Sequence, residues 1–317
     1  MAIQETHLDA GHLATIATLW PSLHVINSAH ANATSTAGIA IVLNKSHLLN
    51  PEKTSHWEII PGRALLAQIK WRDREVFILA VYGPNGVQES KDMWSSIDTW
   101  LDEHKLEIPA IDIIMGDMNF VEDEIDRVPT RLAAVDEAEE SFRSLKLRFD
   151  LQDGWRKLNG DRKEYTWRRP GSRERSRLDR IYLKSNWTEE SRHWQCKPAL
   201  PSSDHWMVSV DLTDNLCPEV GEGRWAMPNA VTEDYEFKAI LKPRTQQFLR
   251  DVKHARANRT TARNPQTVFE TFKDDVGQHA RSRGAAVGST AKREEARLDS
   301  ERKRTENDPT IDEETRQ

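Results

Sequence analysis

Two stretches decide the fold: VFILAVYGPN at residues 76–85 and IDIIMGDMN at residues 111–119. Each is a short apolar run, rich in β-branched residues, that stops at a glycine and hands over to polar side chains. That pattern describes a buried strand delivering a loop. Working outward, residues 38–43 (GIAIVL) and 64–71 (ALLAQIKW) read as further strands, with WRDRE at 71–75 as the turn of a hairpin. Residues 90–104 place Met93, Trp94, Ile97, Trp100 and Leu101 at helical spacing. Residues 132–147 read as a helix that begins acidic and ends basic, as the helix dipole prefers. Residues 178–183 and 207–212 read as the last strands of the core. Hairpins mixed with helices predict a layered α/β (α+β) sandwich of two mixed β-sheets flanked by helices, and not a doubly wound nucleotide-binding fold. No glycine-rich phosphate loop and no internal repeat is present in the sequence.

The chain has 317 residues, more than one average domain, and its composition changes after about residue 218. The expected organisation is a core domain over residues 1–215, a linker and helical segment over 216–290, and a charged tail over 291–317. The tail, AKREEARLDSERKRTENDPTIDEETRQ, is too polar to fold alone and reads as a solvated helix or a disordered extension. A net charge of -6 and a pI near 6.0 exclude a uniformly basic nucleic-acid coat, so any nucleic-acid contact must come from a local patch. No run approaches the ~18 apolar residues of a membrane span, and MAIQETHLDAGH lacks the basic start and apolar centre of a signal peptide. The two cysteines, Cys196 and Cys217, lie in no CxxC or Cys/His cluster. A zinc site is therefore not expected, and a reducing, intracellular compartment is.

Acidic, amide and histidine side chains gather where strands end: Gln4-Glu5-Thr6-His7, Tyr82-Gly83-Pro84-Asn85, Gly116-Asp117-Met118-Asn119, Leu178-Asp179-Arg180 and Ser203-Asp204-His205. Singly, each is more simply a turn, a cap or a satisfied core residue. Their order along one chain is the informative feature. It resembles the endonuclease/exonuclease/phosphatase superfamily, in which QE(T), Y-x-P-N, GD-x-N, a late aspartate and SDH follow one another. The resemblance covers about residues 1–212, and Tyr165-Thr166-Trp167 together with Gly223-Arg224-Trp225 suggests the endonucleases of non-LTR retrotransposons.

The resemblance implies a DNase-I-like fold and a metal-dependent phosphodiesterase. It implies that Glu5 is a metal ligand, with Asp204 a second candidate, and that the metal is Mg²⁺ or Mn²⁺. Asp117 would orient or deprotonate the attacking water. Asn119, Asn85 and the Tyr82 hydroxyl can hydrogen-bond phosphate oxygens without adding negative charge. His205 would donate to the phosphate while Asp179 holds its ring. The family also has a strand before QE that ends in an asparagine. Here Met1 stands three residues before Gln4, so a fold lacking that strand is expected.

The stretch RKEYTWRRPGSRERSRLDR at residues 162–180 carries Arg168, Arg169, Arg173, Arg175 and Arg177 around a Pro-Gly turn. It reads as a basic hairpin able to follow a phosphate backbone, or else as a solvated loop. Trp167 can pack on a sugar or a flipped base, or serve the core. The expected activity is nicking of DNA with a 3′-hydroxyl product, which places the protein in the nucleus, without membrane partners. The alternatives are a catalytically impaired relic that binds nucleic acid and a phosphatase acting on a small phosphoester.

Overall fold

The computed structural model describes residues 1–30, 37–48, 54–71, 74–129, 137–199, 203–213 and 225–308. Two compact units divide near residue 217. The first contains β1 (Ala2–Gln4), α1 (Ala10–Leu19), β2 (Leu23–Ser28), β3 (Ile39–Asn44), β4 (Ser55–Ile60), β5 (Ala64–Trp71), β6 (Arg74–Tyr82), α2 (Val87–Glu103) and β7 (Ile113–Asp117). It continues with β8 (Arg127–Val128), α3 (Glu137–Phe149), β9 (Leu151–Asp153), α4 (Gly154–Asn159), β10 (Trp167–Arg168), β11 (Arg175–Ser176), β12 (Asp179–Lys184), α5 (Ser185–Glu189), β13 (Ser191–Pro198) and β14 (Trp206–Leu212). The second contains α6 (Asn229–Glu233), α7 (Tyr235–Ala257) and α8 (Pro265–Asn307).

The centre of the first unit is a six-stranded sheet in the order β4-β5-β6-β7-β12-β9, mixed because β6 and β7 run parallel. Alternate residues of a strand face opposite sides, and here both sides are apolar. On β5 and β6, Leu66, Leu79 and Val81 meet Met93, Trp94, Ile97 and Leu101 of α2 and Phe142 and Leu145 of α3. The residues between them, Leu65, Ala67 and Ala80, meet Ile26, Ile39 and Ile41 of β2 and β3. Double-sided burial explains why these strands read as unbroken apolar runs. The opposing layer consists of the antiparallel sheet β1-β3-β2 and the antiparallel ribbon β13-β14, whose Val208, Val210 and Leu212 pack on Ile113, Ile181 and Leu183. Helices, a mixed sheet and this second β-layer are the expected sandwich. Among the described residues no strand joins β1 to β14.

The second unit closes on a small core of Val231, Phe237 and Ala280, joined by Leu241 and Val276. The boundary expected at residue 290 does not exist, because α8 continues unbroken to Asn307. The charged tail is helical as far as that residue, and Glu306 within it is buried. Pairs one turn apart, such as Arg297 with Glu301 and Arg302 with Glu306, each add a little to the stability of the helix. The start of the helix expected at 132–147 and the linker residues 219–224 lie outside the described residues.

Candidate active site

Strand register assembles the site. Tyr82 at the end of β6 stands beside Asp117 at the end of β7, and Asp117 stands beside Asp179 at the start of β12. Neighbouring strands lie ~4.8 Å apart, so three residues far apart in sequence become a row. Two glycines make the close approach possible. A Cβ on Gly83 would lie 2.4 Å from the Met118 carbonyl oxygen, and one on Gly116 would lie 2.0 Å from the Val81 carbonyl oxygen. Gly116 also has φ +142, which side-chain-bearing residues avoid. The glycines of Y-G-P-N and G-D-M-N are thus demanded by backbone contact.

Asn119 sits at φ 55, an unusual value for a residue with a side chain. Two hydrogen bonds hold it there: its N–H donates to Asp117 Oδ1 at 2.9 Å, and its amide Nδ2 donates to the Gly83 carbonyl at 2.7 Å. Glu5, at φ 52 just past β1, accepts a short hydrogen bond from the Tyr82 hydroxyl. Burial and then this carboxylate hold the Tyr82 phenol well above its ordinary pKa, so it stays a donor. The Arg63 guanidinium lies 4.5 Å over the Tyr82 ring and donates to the Tyr82 and Gly83 carbonyls.

His205 Nδ1 lies 2.9 Å from Asp179 Oδ2. Burial, the largest single influence, disfavours the charged ring, but the Asp179 hydrogen bond and the charges of Asp179, Asp117 and Asp204 outweigh it and raise the pKa to about 9. The ring is therefore protonated at neutral pH. Asp117 is 4% exposed, and its pKa is pushed up to about 7 by burial first, then by the charges of Asp179 and Glu5. One atom each of Asp117, Asp179 and His205 lies within 4.8 Å of the others, a spacing that can hold a metal ion. Glu5 and Asp204 line the same cleft, together with Tyr82, Asn85, Asn119 and Trp167. The Trp167 indole N–H donates to Asp204 Oδ2 at 2.9 Å, which fixes the ring at the rim.

The structure thus brings together the eight proposed catalytic and metal-binding residues, Glu5, Tyr82, Asn85, Asp117, Asn119, Asp179, Asp204 and His205, around a cleft of about 520 Å³. One wall went unread in the sequence: Arg127, Val128, Pro129, Glu174 and Ser176, contributed by β8, β11 and their flanks.

The five arginines expected to follow a phosphate backbone are not all available to one. Arg177 is 3% exposed and cannot reach a phosphate. It donates through Nε and Nη2 to Asp126 at 2.8 Å each and pairs with Asp153 at 2.6 Å. Asp126, fully buried, is held below its ordinary pKa because Arg177, Arg180 and Arg156 outweigh the burial that opposes its charge. Arg168 lies over the Trp206 ring, Arg175 over Tyr165, and Arg169 pairs with Glu174 at 2.8 Å. Arg173 is exposed. Arg177→Ala should remove the main counter-charge of two buried carboxylates, leaving Arg156 and Arg180 beside them, and cost about 3–5 kcal/mol, read as a lower midpoint in urea unfolding. A loss under 1 kcal/mol would mean that the network carries no structural weight.

A strand-borne row of carboxylates, amides and a charged histidine around an open cleft defines a hydrolase-type centre on a layered α/β sandwich. Residues 1–205 match the Endonuclease/Exonuclease/phosphatase family, and the chain belongs to it. Over 244 residues, 76% of this chain, it is 29% identical to the Transposon TX1 uncharacterized 149 kDa protein of Xenopus laevis. It spans 18% of that relative's length. Among solved structures, the 3′ phosphatase NExo from Neisseria bound to a product DNA hairpin aligns with a TM-score of 0.54 at 18% identity, covering 67% of this chain and 88% of that one. An AP endonuclease from Archaeoglobus fulgidus aligns at 0.52 and 18% identity, covering 67% and 87%. These likenesses establish the fold.

Proposed function

We propose that the chain is a Mg²⁺-dependent DNA endonuclease that nicks one strand, working in the nucleus on genomic DNA. The observation that carries this reading is the row Tyr82–Asp117–Asp179 with His205 hydrogen-bonded to its end. A phosphodiester repels a nucleophile through its own charge, so the site must offer a base on one side and positive charge on the other. Asp117 takes the proton of the attacking water. The His205 imidazolium, the Tyr82 hydroxyl and the amides of Asn85 and Asn119 donate to the phosphate oxygens. Water adds to phosphorus, the bond from phosphorus to the 3′ oxygen breaks, and that oxygen takes a proton from solvent, so the products are a 3′-hydroxyl and a 5′-phosphate.

The donor set suits a hard divalent cation. Glu5, Asp117, Asp179 and Asp204 converge on one cleft, and beside burial the charges of Asp179 and Glu5 help to raise the pKa of Asp117. Glu5 and Asp204 would hold Mg²⁺, or Mn²⁺, which supplies charge neutralisation at the phosphate.

Supercoiled plasmid should be converted to the nicked form with Mg²⁺ and remain intact with EDTA. Plasmid left intact across Mg²⁺ and Mn²⁺ concentrations, by protein that binds DNA, would sink the reading and favour a binding relic. Arg169→Ala with Arg173→Ala should lower the log–log salt slope of DNA binding by up to ~0.9 per lost phosphate contact. An unchanged slope would make the hairpin a solvated loop.

A further inference from the structure

The helical unit beyond the family match holds a feature that the nuclease site does not use. From residue 239 to 259 there are six lysines and arginines against one acid, Asp251, in a chain of net charge -6. At ~100° per residue, Lys242, Arg250, Lys253 and Arg256 fall within an arc of ~120° on α7. The residues sharing that arc between 239 and 257 are Ala239, Gln246, Leu249 and Ala257, so it contains no carboxylate. Phe237 and Ala255, the buried residues of α7, lie on the opposite side. All four cations are exposed, as is Arg259 just past the helix.

Many of the other cations of the unit are paired with acids. Arg244 pairs with Asp275, Arg263 with Asp251 and Arg283 with Asp234. Towards the end of α8, Arg297, Arg302 and Lys303 are each neutralised by an acid three or four residues away. Among the described residues Lys242, Lys253, Arg256 and Arg259 meet no carboxylate, and Arg250 touches only the neutral Gln247 amide. Favourable interaction with the helix dipole accounts for cations in the last turn of α7 and not for Lys242, four turns earlier. A solvated face would ordinarily intersperse acids, as α8 does.

The shape of the array selects the ligand. Lys242 to Arg256 spans ~21 Å along the helix, a line and not a cup. A single phosphate would meet one or two of these cations. A nucleic-acid backbone, with its regular row of phosphates, can meet them all. Leu249 is the only large apolar side chain in the arc between residues 239 and 257, too little for the core of a protein interface. We propose that the outer face of α7, continued by Arg259, is a second nucleic-acid-binding surface that holds the phosphate backbone of DNA without reading its sequence. This assignment is independent of the nicking activity.

The test uses the full chain in EDTA, a fluorescein-labelled 20-base-pair duplex and anisotropy titrations across a range of KCl concentrations. The variant carries Lys242→Gln, Arg250→Gln, Lys253→Gln, Arg256→Gln and Arg259→Gln, and its thermal melt should match the parent because none of these side chains has a charged partner. Its log–log salt slope should fall by about 2 to 4.5, given ~0.9 per lost phosphate contact. The milder pair Lys253→Gln with Arg256→Gln should lose up to ~1.8. Arg297→Gln with Lys303→Gln, which removes equal charge from acid-paired positions, should leave the slope unchanged. An unchanged slope in the five-site variant, or an equal loss in the acid-paired control, overturns the proposal. So does lost binding of a labelled oligo-glutamate peptide with the DNA slope intact, which would assign the face to an acidic protein.

Discussion

Asp117→Asn is expected to reduce nicking by about 10²- to 10⁴-fold while making the metal-free protein more stable at pH 8. The loss of rate follows from the role of Asp117 as the acceptor of the water's proton. The gain in stability follows from its environment. Asp117 is 4% exposed and lies beside Asp179 and Glu5, so its folded pKa of about 7 exceeds the ordinary value of an unfolded aspartate. The folded state therefore binds the proton more tightly than the unfolded state. Ionisation costs nothing below about pH 4, costs progressively more as pH rises, and costs its full amount above about pH 7. A neutral asparagine escapes this cost and can still accept the Asn119 N–H bond.

With relaxation allowed for, the difference should be on the order of 2 kcal/mol in EDTA at pH 8, or about 4–8 °C in melting temperature, and should vanish near pH 4. Removing the Asp117 charge should also lower the His205 pKa from about 9, because that charge helps to raise it. An NMR titration of the His205 ring reads this directly. A variant that melts lower than the parent at pH 8, with His205 unmoved, would mean that Asp117 is a structural acceptor and not a strained functional group.

What the sequence disclosed follows from how far apart the determining residues lie. Strand β5 has the expected bounds, 64–71, because double-sided burial makes Ala64, Leu65, Leu66, Ala67 and Ile69 all apolar. Tyr82 and Asp117 were legible because a glycine beside each marks where its strand ends, whereas Asp179, between Leu178 and Arg180, was legible only from the order of the motifs. Strand β13, SRHWQCKP, was not legible, since its polar sequence adopts a strand only by pairing with β14. The cleft wall was hidden for a related reason: β8 and β11 are two residues each, too short to show any periodicity. Arg177 was misread because RERSRLDR looks evenly basic, while the acids that claim this arginine, Asp126 and Asp153, stand 51 and 24 positions earlier. A charged residue's neighbours in sequence do not reveal its partner in space.

His205→Ala is expected to lower the nicking rate by about 10²- to 10⁴-fold while leaving DNA affinity nearly unchanged. The ring lies 2.9 Å from Asp179 and is protonated below about pH 9, the state in which it can donate to a phosphate oxygen. A merely structural histidine would behave differently: its removal would leave the rate per folded molecule alone. Stability does carry a signature of the pair. The folded pKa exceeds the unfolded one, so the stabilisation is fully present below about pH 6.5 and fades as pH rises through about 9. The melting temperatures of parent and variant should therefore converge at pH 10. Asp179→Asn completes the test, because Asp179 acts through the ring by holding and charging it. If the two work as one unit, the double variant should be little slower than His205→Ala alone, since losses within a catalytic unit do not multiply. Asp179→Asn alone should also bring the His205 pKa down, a shift that a residue serving only the strand start of β12 would not produce. Rate losses that multiply, with the His205 titration unmoved, would separate the two residues and dissolve the proposed pairing.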